Sequence, residues 1–339
     1  MASAVNTQIV LNHRPDGVPR ADNFDIVESP IPRPNAGEVF VRTIYLSVDP
    51  YMRGLLWERP PRGKPVQPGE VMIGEGLGEV VFSGDPRLRE GAIVRGNFGW
   101  QKYAIAKPET VHRVDSDITP MSTALGVLGM PGLTGHHGIR QVARPLAGET
   151  VVVSGAAGAV GSVAGQIAKI DGCRVVGICG TDAKCAHLVG ELGFDASINY
   201  RSQPIDSALE SVCPSGIDAI FDNVGGDILE AMLRHINLHA RIALCGAISQ
   251  YHTLEPDLVL PHSRLLHRRR ACMQGFLVHD YAEHATAAMT DLKDWVKTSR
   301  LIYRESITNG LEHTPAAFEG LFHGTNFGKQ LIRVSPESV

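Results

Sequence analysis

Val151-Val-Val-Ser-Gly-Ala-Ala-Gly-Ala-Val-Gly161 decides how this chain folds. Val151 to Ser154 is a short β-branched run without polar alternation, the pattern of a parallel strand buried on both faces. Glycines follow at 155, 158 and 161. Val160, Val163, Ala164, Ile167 and Ala168 then make one apolar stripe at helical spacing. Gly172 ends that helix, and Arg174-Val-Val-Gly-Ile178 makes the next strand. Strand, glycine turn, helix and strand form one βαβ unit, the building block of a doubly wound parallel α/β sheet. A helix entered this way offers N–H groups and a partial positive charge to a pyrophosphate. The spacing is G-x-x-G-x-x-G rather than G-x-G-x-x-G, and a glycine turn alone can serve plain helix–strand packing. The strand before it, the amphipathic helix after it and the second strand on schedule select the dinucleotide reading.

The end of the second strand says which dinucleotide. An NAD site places Asp or Glu about 20 residues past the glycines to bind ribose hydroxyls. Here the strand ends Cys179-Gly180-Thr181, with Asp182 and Lys184 just beyond it. A missing carboxylate removes repulsion against a 2′-phosphate, and a lysine supplies a point charge to it. Tyr200 follows the next apolar segment and can add a hydroxyl donor. The expected cofactor is therefore NADP. The competing reading makes Lys184 a solvated residue of the following helix.

The chain has 339 residues, length enough for two domains, with 43% hydrophobic and 20% charged residues, ordinary globular values. A net charge of −4 gives no reason to expect nucleic acid or an anionic membrane as partner. Met1-Ala-Ser-Ala-Val-Asn6 lacks a basic region and an apolar core, so no secretory leader is expected. No apolar run approaches membrane-spanning length. All six cysteines fall in the second half of the chain, three of them beside apolar strands, as reduced thiols of a cytoplasmic protein would.

Residues 1 to about 120 read as mostly β. Phe24 to Glu28 and Glu38 to Tyr45 are strand-like, and Leu46-Ser-Val-Asp-Pro-Tyr-Met-Arg-Gly54 is a polar turn holding Tyr51. Arg59 to Gly69 reads as a surface loop. Ile73 to Phe82 packs glycines into a strand, which marks a bulge or a close backbone contact. Short strands with turn signals between them suggest a barrel-like domain. Past the nucleotide unit, strands at Ala219–Phe221, Ile242–Cys245 and Met273–Val278 are expected. Their following loops are where an open α/β sheet binds ligands. Glu283 to Ser299 reads as one amphipathic helix, and Thr314-Pro315 as an N-cap with proline at the first helical position. The last strand, Gln330 to Val334, needs a sheet to join and is expected back in the first domain.

Some sites are missing from the sequence. A zinc alcohol dehydrogenase needs thiolate and imidazole ligands in its first domain. No cysteine precedes Cys173, and in Gly74-Glu-Gly-Leu-Gly78 a glycine stands where a ligand histidine of G-H-E-G-x-G would be. No metal is expected. Tyr103-Ala-Ile-Ala-Lys107 spells Y-x-x-x-K, but it precedes the glycine turn and lies in a strand, so it reads as structural. His136-His137 are adjacent and cannot share one helix face as metal ligands. His267-Arg-Arg-Arg270 reads as a solvated edge.

Taken together, the chain resembles the zinc-free medium-chain reductases typified by leukotriene B4 12-hydroxydehydrogenase/15-oxo-prostaglandin reductase, plant alkenal double-bond reductases and bacterial NADPH-dependent curcumin reductase. Leu46 to Arg53, Gly129-Met-Pro-Gly-Leu-Thr134, Ala156 to Gly161, Phe221-Asp-Asn-Val-Gly-Gly226, Cys245-Gly-Ala-Ile-Ser249 and Asn326-Phe-Gly-Lys329 carry the resemblance. It implies a GroES-like β-rich domain from residues 1–122 and 306–339, a Rossmann domain from 123–305, and a homodimer. It implies that Gly158, Ala159, Val160 and Gly161 hold the pyrophosphate, and that Lys184 and Tyr200 sit at the 2′-phosphate. Asn223, Cys245, Gly246, Ala247, Ile248, Ser249, Tyr251, Phe276, Leu277, Val278 and Asn326 match the other NADP contacts, and Tyr51 and Tyr251 match tyrosines beside the substrate. Two departures stand out: one residue inserted between Lys184 and Tyr200, and His136-His137 where relatives more often carry an aromatic pair.

The implied chemistry suits these residues. An enal or enone takes hydride at its β-carbon, then a proton at its α-carbon, and a phenol can hydrogen-bond the enolate oxygen. Whether Tyr251, Tyr51 or water delivers the proton is open at this stage. Two other readings stand beside this one, an NADPH quinone oxidoreductase and a non-catalytic nucleotide-binding protein on the same fold.

Overall fold

The computed structural model describes residues 5–61, 63–253 and 262–337. Met1 to Ala4, part of the segment read for a leader, and Arg62 of the loop at 59–69 lie outside them. The chain divides into two compact units, Met1–Leu125 with Glu305–Asn326 and Gln330–Val339, and Gly126–Arg304 with Phe327–Lys329.

In the first unit, β1 (Val5–Leu11) and β2 (Phe24–Pro30) pair antiparallel along their whole length. A seven-stranded sheet contains β3 (Val39–Ser47), β4 (Glu75–Ser83), β5 (Ile93–Asn97), β6 (Tyr103–Ala106) and β7 (Val111–Arg113). The glycines of β4 mark close backbone contact. The β3–β4 register slips twice, and a Cβ on Gly76 would come within 2.9 Å of the Tyr45 carbonyl oxygen. Tyr103 to Ala106 of the Y-x-x-x-K run form β6, paired with β3, and Lys107 follows the strand. The core gathers Ile9, Leu11, Phe24, Leu46, Met52 and Trp100, with the Trp100 ring 5.1 Å from Phe24 and 5.6 Å from Phe318.

The second unit is a six-stranded parallel sheet. Its strands are β8 (Thr150–Ser154), β9 (Arg174–Cys179), β10 (Ala196–Asn199), β11 (Ile217–Asp222), β12 (Ile236–Leu244) and β13 (Cys272–Gly275). The order β10-β9-β8-β11-β12-β13 is that of a doubly wound dinucleotide fold, and its direction reverses between β8 and β11. The β-branched run of β8 is buried on both faces, as its composition requires. Before the sheet comes α1 (Met130–His137). The connections carry α2 (Gly161–Ile170), α3 (Asp182–Gly190), α4 (Ile205–Val212) and α5 (Gly226–Arg234). Then follow α6 (Arg264–Arg269) and α7 (Ala285–Lys297). The basic run at 267–270 ends α6 and is exposed.

The chain closes with β14 (Glu305–Asn309), α8 (Thr314–His323) and β15 (Lys329–Arg333). β15 pairs antiparallel with β3, so the last strand returns to the first sheet as expected. The strand expected at Ile242–Cys245 begins earlier, at Ile236, and ends at Leu244, and three other boundaries differ for a local reason. The strand expected to reach Val278 stops at Gly275, because Phe276 turns its ring into the core and Val278 opens a 3-10 turn. That turn runs to His284 and is kinked at Tyr281 (φ −121°, ψ 33°), so α7 starts at Ala285 rather than Glu283. Thr314 is the first residue of α8, not its cap, since its hydroxyl donates to the Leu311 carbonyl at 2.6 Å and Pro315 takes the second position.

Candidate active site

The carboxyl ends of β8 and β11 are tied together at the reversal point of the sheet. The Ser154 hydroxyl donates to Asp222 Oδ1 at 2.5 Å and accepts from the Asn223 backbone N–H at 2.8 Å. The Asn223 side-chain amide donates to the Ser154 carbonyl at 2.7 Å. Asp222 is buried, and burial raises its pKa although the Ser154 hydroxyl and the Val224 and Gly225 N–H groups donate to it. The sequence reading picked out Asn223 but neither Ser154 nor Asp222. An acid ending an apolar strand was the available signal.

The glycine turn fits a pyrophosphate. Gly155 takes a left-handed φ of +59°, and a Cβ on Gly161 would lie 2.4 Å from the Gly155 carbonyl oxygen, so the turn closes only on glycine. Gly158, Ala159 and Val160 stay half-buried at the mouth of the turn, and Gly161 begins α2. The stretch Phe327–Lys329 braces it: Gly328 bridges Gly158 in parallel, and its N–H donates to the Ala157 carbonyl at 2.9 Å. Asn326 immediately precedes that stretch and is half-buried.

At the end of β9 the Tyr200 ring lies against Gly180, where a Cβ would come within 3.1 Å of the tyrosine hydroxyl. The ring remains 39% exposed, so this face can still take a ligand. Thr181 caps α3 by accepting from the Lys184 backbone N–H at 3.2 Å. Burial lowers the Lys184 ammonium pKa, and the Arg201 charge adds to the effect. Arg201 itself lies 5.7 Å over the Tyr200 ring. The nearby acid is held aside, because Asp182 accepts from the Asn199 side chain at 2.7 Å. Two cations, a phenol and a diverted carboxylate suit a phosphate monoester. Arg201 was not picked out from sequence; its place directly after Tyr200 was the available signal.

The loop after β12 folds back on the loop after β11. Cys245 N–H donates to the Asp222 carbonyl at 2.8 Å and Ile248 N–H to the Asn223 carbonyl at 3.2 Å. The Ser249 hydroxyl donates to the Val224 carbonyl at 2.6 Å. Burial pushes the Cys245 thiol up to about 12, so it stays protonated. Gly246 and Ala247 are half-buried, and Tyr251, also half-buried, aims its hydroxyl at Gly246, where a Cβ would be 2.9 Å away. Phe276 is buried with its ring 6.2 Å from Phe221, so only its backbone remains to face a ligand. Leu277 is exposed and Val278 half-buried.

On the first unit, Tyr51 is 43% exposed, on a 3-10 turn (Pro50–Leu56) whose Met52, Arg53 and Leu56 are buried. Arg53 anchors the turn by donating to the Gly17 carbonyl at 2.9 Å and by stacking 3.7 Å over the Trp57 ring. Burial lowers its pKa to about 10, so it remains a cation. At Gly74, a Cβ would strike Leu46 and the Trp100 ring at 2.9 Å, so the space of a ligand histidine is filled by the core.

Comparison with known proteins agrees with this geometry. The sequence matches the family described as "N-terminal domain of oxidoreductase" over residues 7–114 and "Zinc-binding dehydrogenase" over residues 159–294. It is 40% identical to the NADPH-dependent curcumin reductase of Escherichia coli over 335 residues, covering 97% of each chain. It is 39% identical to the NADP(+)-dependent 2-alkenal reductase of Nicotiana tabacum over 341 residues, covering 98% of each. The structure of CurA from Vibrio vulnificus in complex with NADPH superposes with a TM-score of 0.93 at 40% identity, covering 98% of this chain and 100% of that one. The β-rich first unit, the parallel dinucleotide sheet, the core-filled Gly74 position and these full-length relatives together make the chain a member of the zinc-free medium-chain dehydrogenase/reductase family of NADP-dependent oxidoreductases.

Proposed function

We propose that the protein reduces the carbon–carbon double bond of α,β-unsaturated aldehydes and ketones. The observation that carries this reading is Tyr251, a half-buried phenol held by the loop after β12, beside the strand ends where a dinucleotide belongs. The names of two relatives support it, an NADPH-dependent curcumin reductase and an NADP(+)-dependent 2-alkenal reductase.

Gly158 to Gly161 would hold the pyrophosphate of NADPH, Lys184, Tyr200 and Arg201 its 2′-phosphate, and Asn223 and the Cys245–Ser249 backbone its nicotinamide half. NADPH, when bound, supplies hydride to the β-carbon of the substrate. Tyr251 donates a hydrogen bond to the carbonyl oxygen as it becomes an enolate, a contribution of roughly 3 kcal/mol for an oxyanion donor.

An NADPH-oxidation screen over alkenals, aryl enones and quinones, with product analysis, tests the reading. Saturated aldehydes and ketones are expected; hydroquinones alone would favour a quinone reductase, and no turnover a non-catalytic protein.

We also infer a cytoplasmic homodimer. The unpaired cysteines support the compartment. Edge strand β13 supports the dimer: its Cys272, Gln274 and Gly275 are exposed, ready to pair with the same strand of a second copy. Sedimentation at micromolar concentration reads the mass.

A further inference from the structure

Two cysteines outside the catalytic proposal face each other beside the 2′-phosphate subsite. Cys179 ends β9, and Cys185 lies in the first turns of α3, directly after Lys184. Their sulfurs are 3.2 Å apart. A disulfide needs about 2.05 Å, so a shift of little more than 1 Å would join them. The bond would close a short loop containing Gly180, Thr181, Asp182 and Lys184. That loop carries the Thr181 cap of α3 and the Gly180 surface under Tyr200.

We propose that Cys179 and Cys185 form a reversible disulfide that weakens NADPH binding by displacing Lys184 and the Gly180 surface. The effect on NADPH rests on the reading of Lys184 as a 2′-phosphate ligand; the bond itself does not. The remaining cysteines lie elsewhere in the fold: Cys173 precedes β9 at the opposite end of the strand from Cys179, Cys213 follows α4, Cys245 lies on the loop after β12, and Cys272 is on β13.

Hydrogen peroxide is the oxidant. Cys185 is the more exposed of the pair; Cys179 is buried. The Cys185 sulfur attacks a peroxide oxygen: an S–O bond forms, the O–O bond breaks, and the leaving hydroxide takes the Cys185 thiol proton as water. The Cys179 sulfur then attacks the Cys185 sulfenic acid: an S–S bond forms, the S–O bond breaks, and the leaving hydroxide takes the Cys179 proton as a second water. Two thiols lose two electrons, and one peroxide becomes two waters. A dithiol reductant reverses the bond by thiol–disulfide exchange.

The full-length enzyme is treated with peroxide, and its non-reduced peptides are mapped by mass spectrometry beside steady-state kinetics. The expected result is a Cys179–Cys185 peptide pair and a KM for NADPH about tenfold higher, the loss of roughly one charge-assisted contact. Kcat at saturating NADPH stays the same, and dithiothreitol restores KM. Cys185→Ser keeps the reduced-state KM and shows no response to peroxide. Conversion of Cys185 to sulfinic acid with Cys179 still reduced would overturn the proposal, as would two thiols that stay open to alkylation. A mapped disulfide with unchanged KM would overturn its effect on the cofactor. Lys184→Ala in reduced enzyme then identifies the fault: a raised KM keeps the Lys184 reading and rejects the coupling, whereas an unchanged KM rejects both.

Discussion

Ser154 donates its hydroxyl proton to Asp222 across 2.5 Å, joining the ends of β8 and β11 where the sheet reverses direction. The same hydroxyl accepts from Asn223 N–H, so one oxygen positions both loops. Ser154→Ala leaves a buried carboxyl and a backbone N–H each short of a partner. A loss of about 1–3 kcal/mol in unfolding free energy is expected, measured by urea denaturation. KM for NADPH should rise as well, since Asn223 loses one of its two ties to β8.

The proposed function assigns the 2′-phosphate to Lys184 and Arg201. Lys184→Ala is expected to raise KM for NADPH about 10–100-fold, the range for a lost charged hydrogen bond, and to leave KM for NADH nearly unchanged. Arg201→Ala should act in the same direction and more weakly, because Arg201 is exposed. Equal effects on both cofactors would remove these residues from the 2′-phosphate.

The proposed function assigns enolate stabilisation to Tyr251. Tyr251→Phe keeps the ring and removes the hydroxyl, so kcat and kcat/KM should fall together by about 10–1000-fold with KM for the enone nearly constant. A change confined to KM would make Tyr251 a binding residue. Tyr51→Phe, assayed beside it, should change neither constant much if that ring only packs.

His137 makes the fold acid-sensitive. It is buried, neither ring nitrogen finds a hydrogen-bond partner among the described residues, and burial, with the nearby His136 and His284 charges, lowers its pKa to about 4. The unfolded chain takes up a proton near pH 6.5, the folded chain only near pH 4. Between those values the unfolded state binds more protons, so stability falls as pH falls. The loss across that window is about 3 kcal/mol at 1.36 kcal/mol per pH unit. His137→Phe should flatten thermal melts between pH 6.5 and 4; an unchanged slope would place the sensitivity elsewhere.

Much of this was legible in the sequence because it is written in local pattern. The β-branched run of β8, the glycine turn and the stripe on α2 lie within one stretch and need no distant partner. The Gly74 substitution could be read as missing chemistry, though not that Trp100 fills the space. What stayed hidden depends on residues far apart in the chain. Ser154 and Asp222 meet only because β8 and β11 are neighbours in the sheet. That Asp182, just past the strand end, is held by the Asn199 side chain could not be read either, because Asn199 ends β10. Element ends were misread where a side chain chose the core over the pattern: Phe276 turns inward and ends β13, and the Tyr281 kink delays α7. Cys179 and Cys185 were visible as residues, but their closeness depends on how α3 leaves β9.

Hydride transfer to the β-carbon is the central claim, and isotope transfer tests it most directly. The enzyme is incubated with NADPH deuterated at the transferring C4 position and an aryl enone, and the product is read by NMR. The account predicts a saturated ketone with one deuterium at the β-carbon and none at the carbonyl carbon. Deuterium on the carbonyl carbon of an allylic alcohol would contradict it.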